Sequence, residues 1–264
     1  MLVFPQLTTG ASALYPVTTT SIQRTVVNTM GDGSTVVYAD PDGAAMAWEL
    51  RCTGLTAAEW TAIETLFDAT LGMWQTFTFL DPTANLLLQS ESFGATAWTN
   101  GALIQLTTGI GDPFGTTRAT GVVNAGQAAE SVAQTLNVPG SFYYTLSVWA
   151  QSSGGSNVTL TIWSTGGSVS RTFALTGEWA RVQLGANLGL NTTQVTFGAQ
   201  LDAGGSVNLF GVQVETQLAP SDYKQTGATG GVYAKARFAE DQITVTAQGT
   251  DVFDAVIKIV DTEG

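Results

Sequence analysis

The chain has 264 residues, only 11% of them charged, with a formal net charge of −12, no histidine and one cysteine. Such acidity excludes nucleic-acid binding by phosphate neutralisation, which needs clustered Lys and Arg; the missing histidines exclude His-dependent triads, His general bases and most zinc sites. One cysteine excludes an intrachain disulfide framework, and Gly, Thr, Ser, Val and Gln in place of charge favour β-sheet and a surface that ends against other subunits.

The N-terminus has no basic segment followed by an apolar core of about 7–15 residues, and no stretch approaches a membrane span. Synthesis in a cytoplasm, without export by the general secretory route and without membrane insertion, is expected. Val17 to Val27 reads as a strand, followed by a turn at Gly31-Asp32-Gly33. Thr35 to Ala39 is a second strand, Asp40-Pro41-Asp42-Gly43 a turn, and Ala45 to Cys52 a third strand in which Cys52 is a small buried hydrophobe. Thr56-Ala57-Ala58-Glu59 is a capping box, with Leu55 and Trp60 at the positions of a hydrophobic staple. Trp60, Ile63, Leu66, Phe67 and Leu71 then make one apolar helical face, and Gly72 supplies the stop. Gln75 to Leu80 reads as a strand with Phe77 and Phe79 on one side.

From Asn85 to Thr226 the pattern changes to short β runs divided by Gly/Ser/Asn clusters: Phe142–Ala150, Val158–Trp163, Val169–Leu175, Trp179–Leu184, Gln194–Leu201 and Val207–Val214. Regular short strands of this kind predict a sandwich. After a Gly230-Gly231 linker, Gln242–Ala247 and Phe253–Val260 alternate as strands around Gly249-Thr250-Asp251, and Asp261 to Gly264 should fray. Two strands bury too little apolar area to stand alone, so they are predicted to complete the sheet begun before residue 82. Residues 1–84 and 227–264 then form one discontinuous domain, a β-sandwich or small barrel with one flanking helix. Residues 85–226 form a β-sandwich inserted at an exposed loop. Residues 1–85 carry eight acids and two bases, and 227–264 carry six acids and three bases. Most of the negative charge therefore falls on the split domain, where it can line a channel through which DNA slides without sticking.

No catalytic constellation stands out, and no enzyme activity, metal or cofactor is expected. Among the seven acids of the insert, Glu91, Asp112, Glu130, Glu178, Asp202, Glu215 and Asp222, no pair is marked by motif as a glycosidase couple. The glycine clusters Gly154-Gly155 and Gly204-Gly205 lack the context of phosphate loops and read as turns. The aromatics carry the sharper expectation. Alternation puts Tyr143, Thr145, Ser147 and Trp149 on one face of their strand and Thr159, Thr161 and Trp163 on one face of theirs, both polar. If those faces belong to one sheet, Tyr143, Trp149 and Trp163 form a platform on which a sugar can stack. Otherwise they pack under loops or against other protein.

Two stretches resemble known families. The helix followed by Met73-Trp74-Gln75-Thr76-Phe77-Thr78-Phe79-Leu80-Asp81-Pro82 resembles the N-terminal domain of distal tail proteins of long-tailed phages and gene transfer agents. The insert opens Asn85-Leu86-Leu87-Leu88-Gln89-Ser90-Glu91-Ser92-Phe93 with Trp98, and continues through Asp112-Pro113-Phe114-Gly115. It closes with Phe210-Gly211-Val212-Gln213-Val214-Glu215 running to Ser221-Asp222-Tyr223-Lys224-Gln225-Thr226. In these it resembles the carbohydrate-binding-like jelly-roll modules of phage tail proteins, which implies a structural role for Trp98, Trp179 and Glu215. Related jelly rolls often hold a structural Ca²⁺, but Asn208-Leu209-Phe210-Gly211 stands where its acids would be. The resemblance implies a virion tail protein, made in the host bacterial cytoplasm. It would form a closed, hexameric ring at the distal end of the tail tube, contact tube and tip proteins, let DNA pass without specific binding, and display a module for host-surface glycan. A tail-tube or other tip subunit, and a free carbohydrate-binding protein, are the alternatives.

Overall fold

A computed structural model describes residues 1–261, apart from the side chains at positions 41 and 42. The chain divides into two compact units, Met1–Leu80 with Val232–Gly264, and Asp81–Gly231. The first begins with β1 (Val17–Thr29), β2 (Thr35–Leu55), α1 (Ala57–Thr70) and β3 (Phe77–Leu80). The second holds β4 (Thr99–Asn100), β5 (Ile104–Ile110), β6 (Ala119–Asn124), β7 (Glu130–Leu136), β8 (Tyr143–Gln151), β9 (Asn157–Ser164), β10 (Gly167–Ala174), β11 (Ala180–Asn187), β12 (Val195–Leu201) and β13 (Ser206–Glu215). The first unit resumes with β14 (Val232–Phe238), β15 (Val245–Gly249) and β16 (Val252–Asp261).

In the first unit one curled antiparallel sheet runs β1-β2-β16-β14-β3, with β15 on the free side of β16. Segments from both ends of the sequence thus share one sheet. Its inward residues, among them Trp48, Leu50, Phe77, Phe79, Phe238, Ile257 and Ile259, meet Trp60, Ile63 and Leu66 of the helix in one core. The Trp48 and Phe79 rings lie 5.0 Å apart and those of Phe77 and Phe238 4.9 Å apart. The capping box is present: the Glu59 N–H donates to Thr56 Oγ1 at 3.3 Å and the Thr56 N–H donates to Glu59 Oε2 at 2.9 Å.

Three local expectations are corrected. Residues 40–43 are not a turn; β2 runs through them, and the register shift opposite them, between Ile22 and Arg24, absorbs the irregularity. Leu71 does not continue the buried helical face. It is the C-cap, at φ 53, and is 61% exposed, because the left-handed conformation turns its side chain away from the helix stripe. The tail expected to fray begins inside β16, where Asp261 is buried and pairs with Met46; residues 262–264 lie outside the described residues.

The second unit is a jelly-roll β-sandwich of two five-stranded antiparallel sheets, β10-β9-β12-β7-β4 and β11-β8-β13-β6-β5. Leu146, Val148, Leu160, Ile162, Phe197, Leu209 and Val214 are buried in its core. The unit also takes in residues 81–84 and 227–231, because the Asp81 N–H donates to the Gly231 carbonyl and the Gly231 N–H to that of Asn85, both within 2.9 Å. Strands β4, β5, β6 and β7, and β14 of the first unit, are additional to the expected strands: β4 is two residues long, Gly121 interrupts β6, and the apolar alternation of β5 is weak.

Substituting Thr56→Ala removes the N-cap acceptor and the partner of Glu59; a loss of about 1 kcal/mol from the first unit is expected, read as a lowered melting temperature in calorimetry.

Candidate functional site

Strand β8 turns Tyr144, Leu146, Val148 and Ala150 into the sandwich core, so Tyr143, Thr145, Ser147 and Trp149 face outward. Next to them across the ladder stand Arg181 on β11 and Phe210 on β13, each opposite Trp149. A bulge at Gly211, φ 64, separates Phe210 from Gln213 and Glu215, which stand opposite Ser147 and Thr145. An added Cβ at Gly211 would lie 2.9 Å from the Tyr223 ring, so only glycine fits there.

Most of this polar outward face is not open to water. Residues 217–226 fold over it. Thr145 Oγ1 donates to the Gln217 carbonyl at 2.5 Å, and the Lys224 N–H donates to Gln213 Oε1 at 2.7 Å. Glu215, fully buried, accepts from the Ser221 N–H at 2.9 Å, the Ser221 hydroxyl at 2.5 Å and Lys224 Nζ at 3.1 Å. Thus Thr145, Ser147, Gln213 and Glu215 are buried on a face that alternation alone assigns to solvent. The overlay stops short of Trp149. There it leaves an open groove of about 460 Å³ lined by Phe114, Arg118, Trp149, Arg181, Asp222, Tyr223 and Gln225.

Each wall is fixed by its own network. The loop bearing Phe114 is held by Asp112, whose carboxylate accepts from the N–H groups of Phe114 at 2.8 Å, Thr116 at 3.2 Å and Arg118 at 3.2 Å, and from the Thr116 hydroxyl. Burial alone pushes the Asp112 carboxyl up, but the hydrogen bonds from Thr116, Phe114 and Arg118 outweigh it and hold the pKa at about 2. The Arg118 guanidinium bridges Glu91, at 2.9 Å, and Asp112, at 3.5 Å, and lies over the Phe210 ring with its carbon 5.0 Å from the centroid. A fixed cation from the chain therefore sits between these carboxylates, and the donor set does not fit a calcium ion. The Tyr223 hydroxyl donates at 2.9 Å to the same Glu91 oxygen that receives Arg118, and burial pushes its pKa up.

The floor is aromatic. Phe114 and Trp149 meet edge to face at 5.9 Å and 76°, and Phe114 is 56% exposed. Arg181 donates from Nη1 to the Ser221 carbonyl at 2.5 Å and from Nη2 to Ser147 Oγ at 3.1 Å. Arg181 Nε and Trp149 Nε1 are buried and have no acceptor. Each orphaned buried donor costs about 1–3 kcal/mol.

The three sugar-stacking candidates do not form one platform. Trp149 lines the groove. Tyr143 is on the same face six residues away, with its hydroxyl over Gly185, outside the groove lining. Trp163 lies on β9, in the other sheet, with its indole over Gly198 of β12. The two tryptophans therefore lie on outward faces of opposed sheets, because β8 and β9, consecutive in sequence, are not partners in one sheet. Phe114, Arg118, Arg181, Asp222, Tyr223 and Gln225 line the groove without having been marked by the sequence as site residues. The motifs Asp112–Gly115 and Ser221–Thr226 carry Phe114, Asp222, Tyr223 and Gln225; Arg118 and Arg181 lie in neither, and pairing opposite Trp149 is what brings Arg181 to the site. Among the described residues Asp222 is the one carboxylate in the groove lining.

No family model matches the chain, and no curated protein matches it. Solved structures do. The enzymatically active domain of tailspike protein 4 of bacteriophage CBA120 is similar over 52% of this chain at 13% identity, with a TM-score of 0.41; the match spans 22% of that chain. The CBM22-1 xylan-binding domain from Paenibacillus barcinonensis Xyn10C is similar over 52% of this chain and 97% of its own, at 14% identity and a TM-score of 0.41. A family 35 carbohydrate binding module from Clostridium thermocellum is similar over 49% of this chain and 95% of its own, at 21% identity and a TM-score of 0.36. This chain thus spans about a fifth of the tailspike domain.

The Asp112 carboxyl, held at about 2 against an ordinary 3.8, stabilises the loop above the ordinary value. That contribution is lost as pH falls through the folded value. Acid unfolding of the second unit between about pH 4 and pH 2 should therefore be shallower in Asp112→Asn, as followed by near-ultraviolet circular dichroism.

Proposed function

We propose that the second unit is a non-catalytic saccharide-binding module whose ligand lies in the groove at Trp149. The observation that carries this is two adjoining aromatic rings, one more than half exposed, framed by polar groups of both donor and acceptor type in an open groove. A pyranose presents an apolar face and a rim of hydroxyls, and this combination answers both. The test is a glycan array followed by titration calorimetry with the full chain. Trp149→Ala should weaken the retained ligand at least about tenfold, or about 1.4 kcal/mol, with unchanged far-ultraviolet circular dichroism. Equal affinity in the variant, or no glycan retained by the unsubstituted chain, removes this reading.

A specific feature of the first unit favours a second, compatible role in assembly. β1 and the first half of β2 form a two-stranded ribbon on which Ile22, Val26, Val27, Met30, Val37 and Tyr38 are all exposed, by 39% to 61%. A two-stranded ribbon is marginal by itself in water, and clustered exposed apolar residues mark contact surfaces. We read the ribbon as a contact between copies in a closed, hexameric ring at the distal end of a viral tail tube. Such a ring needs heterologous contacts whose rotation closes. On this reading the chain is made in the host bacterial cytoplasm and carried in the virion tail, where it touches tube and tip proteins. The acidic first unit faces passing DNA, and the saccharide is a host-surface glycan. Light scattering with negative-stain microscopy decides: rings of about six copies are expected, and Val27→Glu with Val37→Glu should reduce them to monomers. A monomer at every concentration favours a free carbohydrate-binding protein.

A further inference from the structure

Beyond its rings, the groove holds hydrogen-bonding capacity that the chain itself does not use. Asp222 lines the groove and is exposed; among the described residues its carboxylate accepts no hydrogen bond, and it acts on Arg181 electrostatically. Of the five N–H donors of a guanidinium, Arg181 places two, one from each terminal nitrogen, on Ser221 and Ser147, which leaves a second N–H on each of those nitrogens. Arg181 stands directly across the ladder from Trp149, a pairing that puts side-chain origins about 5 Å apart. A ring stacked on the indole therefore brings its edge to the guanidinium.

We infer that the groove selects a neutral saccharide and reads a pair of vicinal hydroxyls between the Arg181 guanidinium and the Asp222 carboxylate. This rests on the saccharide reading above and names its ligand class. A hydroxyl is at once donor and acceptor. Two adjacent hydroxyls can donate to Asp222 and accept from Arg181, and both bonds are charge-assisted. A ligand with acceptors alone would leave Asp222 unused.

The balance of charge disfavours an acidic sugar. Four carboxylates, Glu91, Asp112, Glu215 and Asp222, surround the groove and its wall against three cations, Arg118, Arg181 and Lys224. Arg118 is held by Glu91 and Asp112, and Lys224 by Glu215. Only Arg181 lacks a direct ion pair, and Asp222 and Glu215 act on it from a distance. A uronic or sialic acid would have to share Arg181 with Asp222 and Glu215, which already act on it, and would bring its own carboxylate against Asp222, a like-charge contact that is unfavourable in a partly desolvated site.

The experiment compares neutral oligosaccharides, the same oligosaccharides after periodate cleavage of their vicinal diols, and uronic- or sialic-acid-bearing ones, on the unsubstituted full chain and on Asp222→Asn. Expected are binding to a neutral ligand, its loss after periodate, and affinity for that ligand at least about tenfold lower in Asp222→Asn. The acidic ligands should gain relative to the neutral ones in that variant. Arg181→Lys, which keeps the charge but not the fork, should weaken the neutral ligand in the same way and serves where a neutral replacement at 181 fails to fold. Preference of the unsubstituted chain for acidic ligands, or neutral binding that survives periodate or Asp222→Asn, overturns this inference and leaves the groove as a saccharide site. Absence of all saccharide binding overturns both.

Discussion

A carboxylate with no exposed surface organises the second unit. Glu215 ends the last strand on the outward face of its sheet, where alternation gives it to water, and is covered instead. Burying a charge is unfavourable unless it is paired and hydrogen-bonded. Ser221 and Lys224 meet that need, and in doing so they fix the segment in which they lie. Gln213, two residues earlier, donates to Glu215 at 2.7 Å and accepts from the backbone of Lys224. The segment so fixed carries Asp222, Tyr223 and Gln225, which form one wall of the groove. The site is therefore not a loop laid over a finished sandwich; its wall is the counter-ion shell of a buried acid.

The same logic closes the unit on itself. Buried Asn85 donates to the carbonyls of Val212 and Lys224 and accepts from the N–H groups of Leu87 and Val214, all within 3.2 Å. One amide thus ties the first residues of the sandwich to its last strand and to the overlay. Ser90 and Glu91 repeat the tie through Tyr223. Because both ends of the sequence segment meet at the groove, its two walls come from residues more than a hundred positions apart. The first unit achieves closure by a different route, sharing one sheet and one aromatic core between its N- and C-terminal segments. Its ribbon alone stands outside that core.

Local signals were most legible where the physics is local. The capping box and the buried Trp60, Ile63 and Leu66 follow from spacing within a few residues, and so did six of the sandwich strands and the inward faces of β8 and β9. Leu71 escaped the helical pattern because a single left-handed residue ends it. The Asp40–Gly43 signal marks not a turn but a bulge within β2, where positions 41–44 face the single position 23 of β1. Strands β4 to β7 and β14 are not legible because they are short or because glycine and polar residues dilute their alternation, while long-range pairing still forms them.

The sequence by itself determined the β-rich class, the capped helix, the absence of histidine chemistry and the outward direction of Trp149 and Trp163. Each depends on composition or on a backbone period of two or 3.6. Only the tertiary structure decided which outward residues share a surface. Alternation names the face of a strand but not the sheet to which the strand belongs. The crossover between β8 and β9 therefore parted the two tryptophans, while the overlay by residues 217–226 joined Trp149 to Phe114, Arg181 and Asp222.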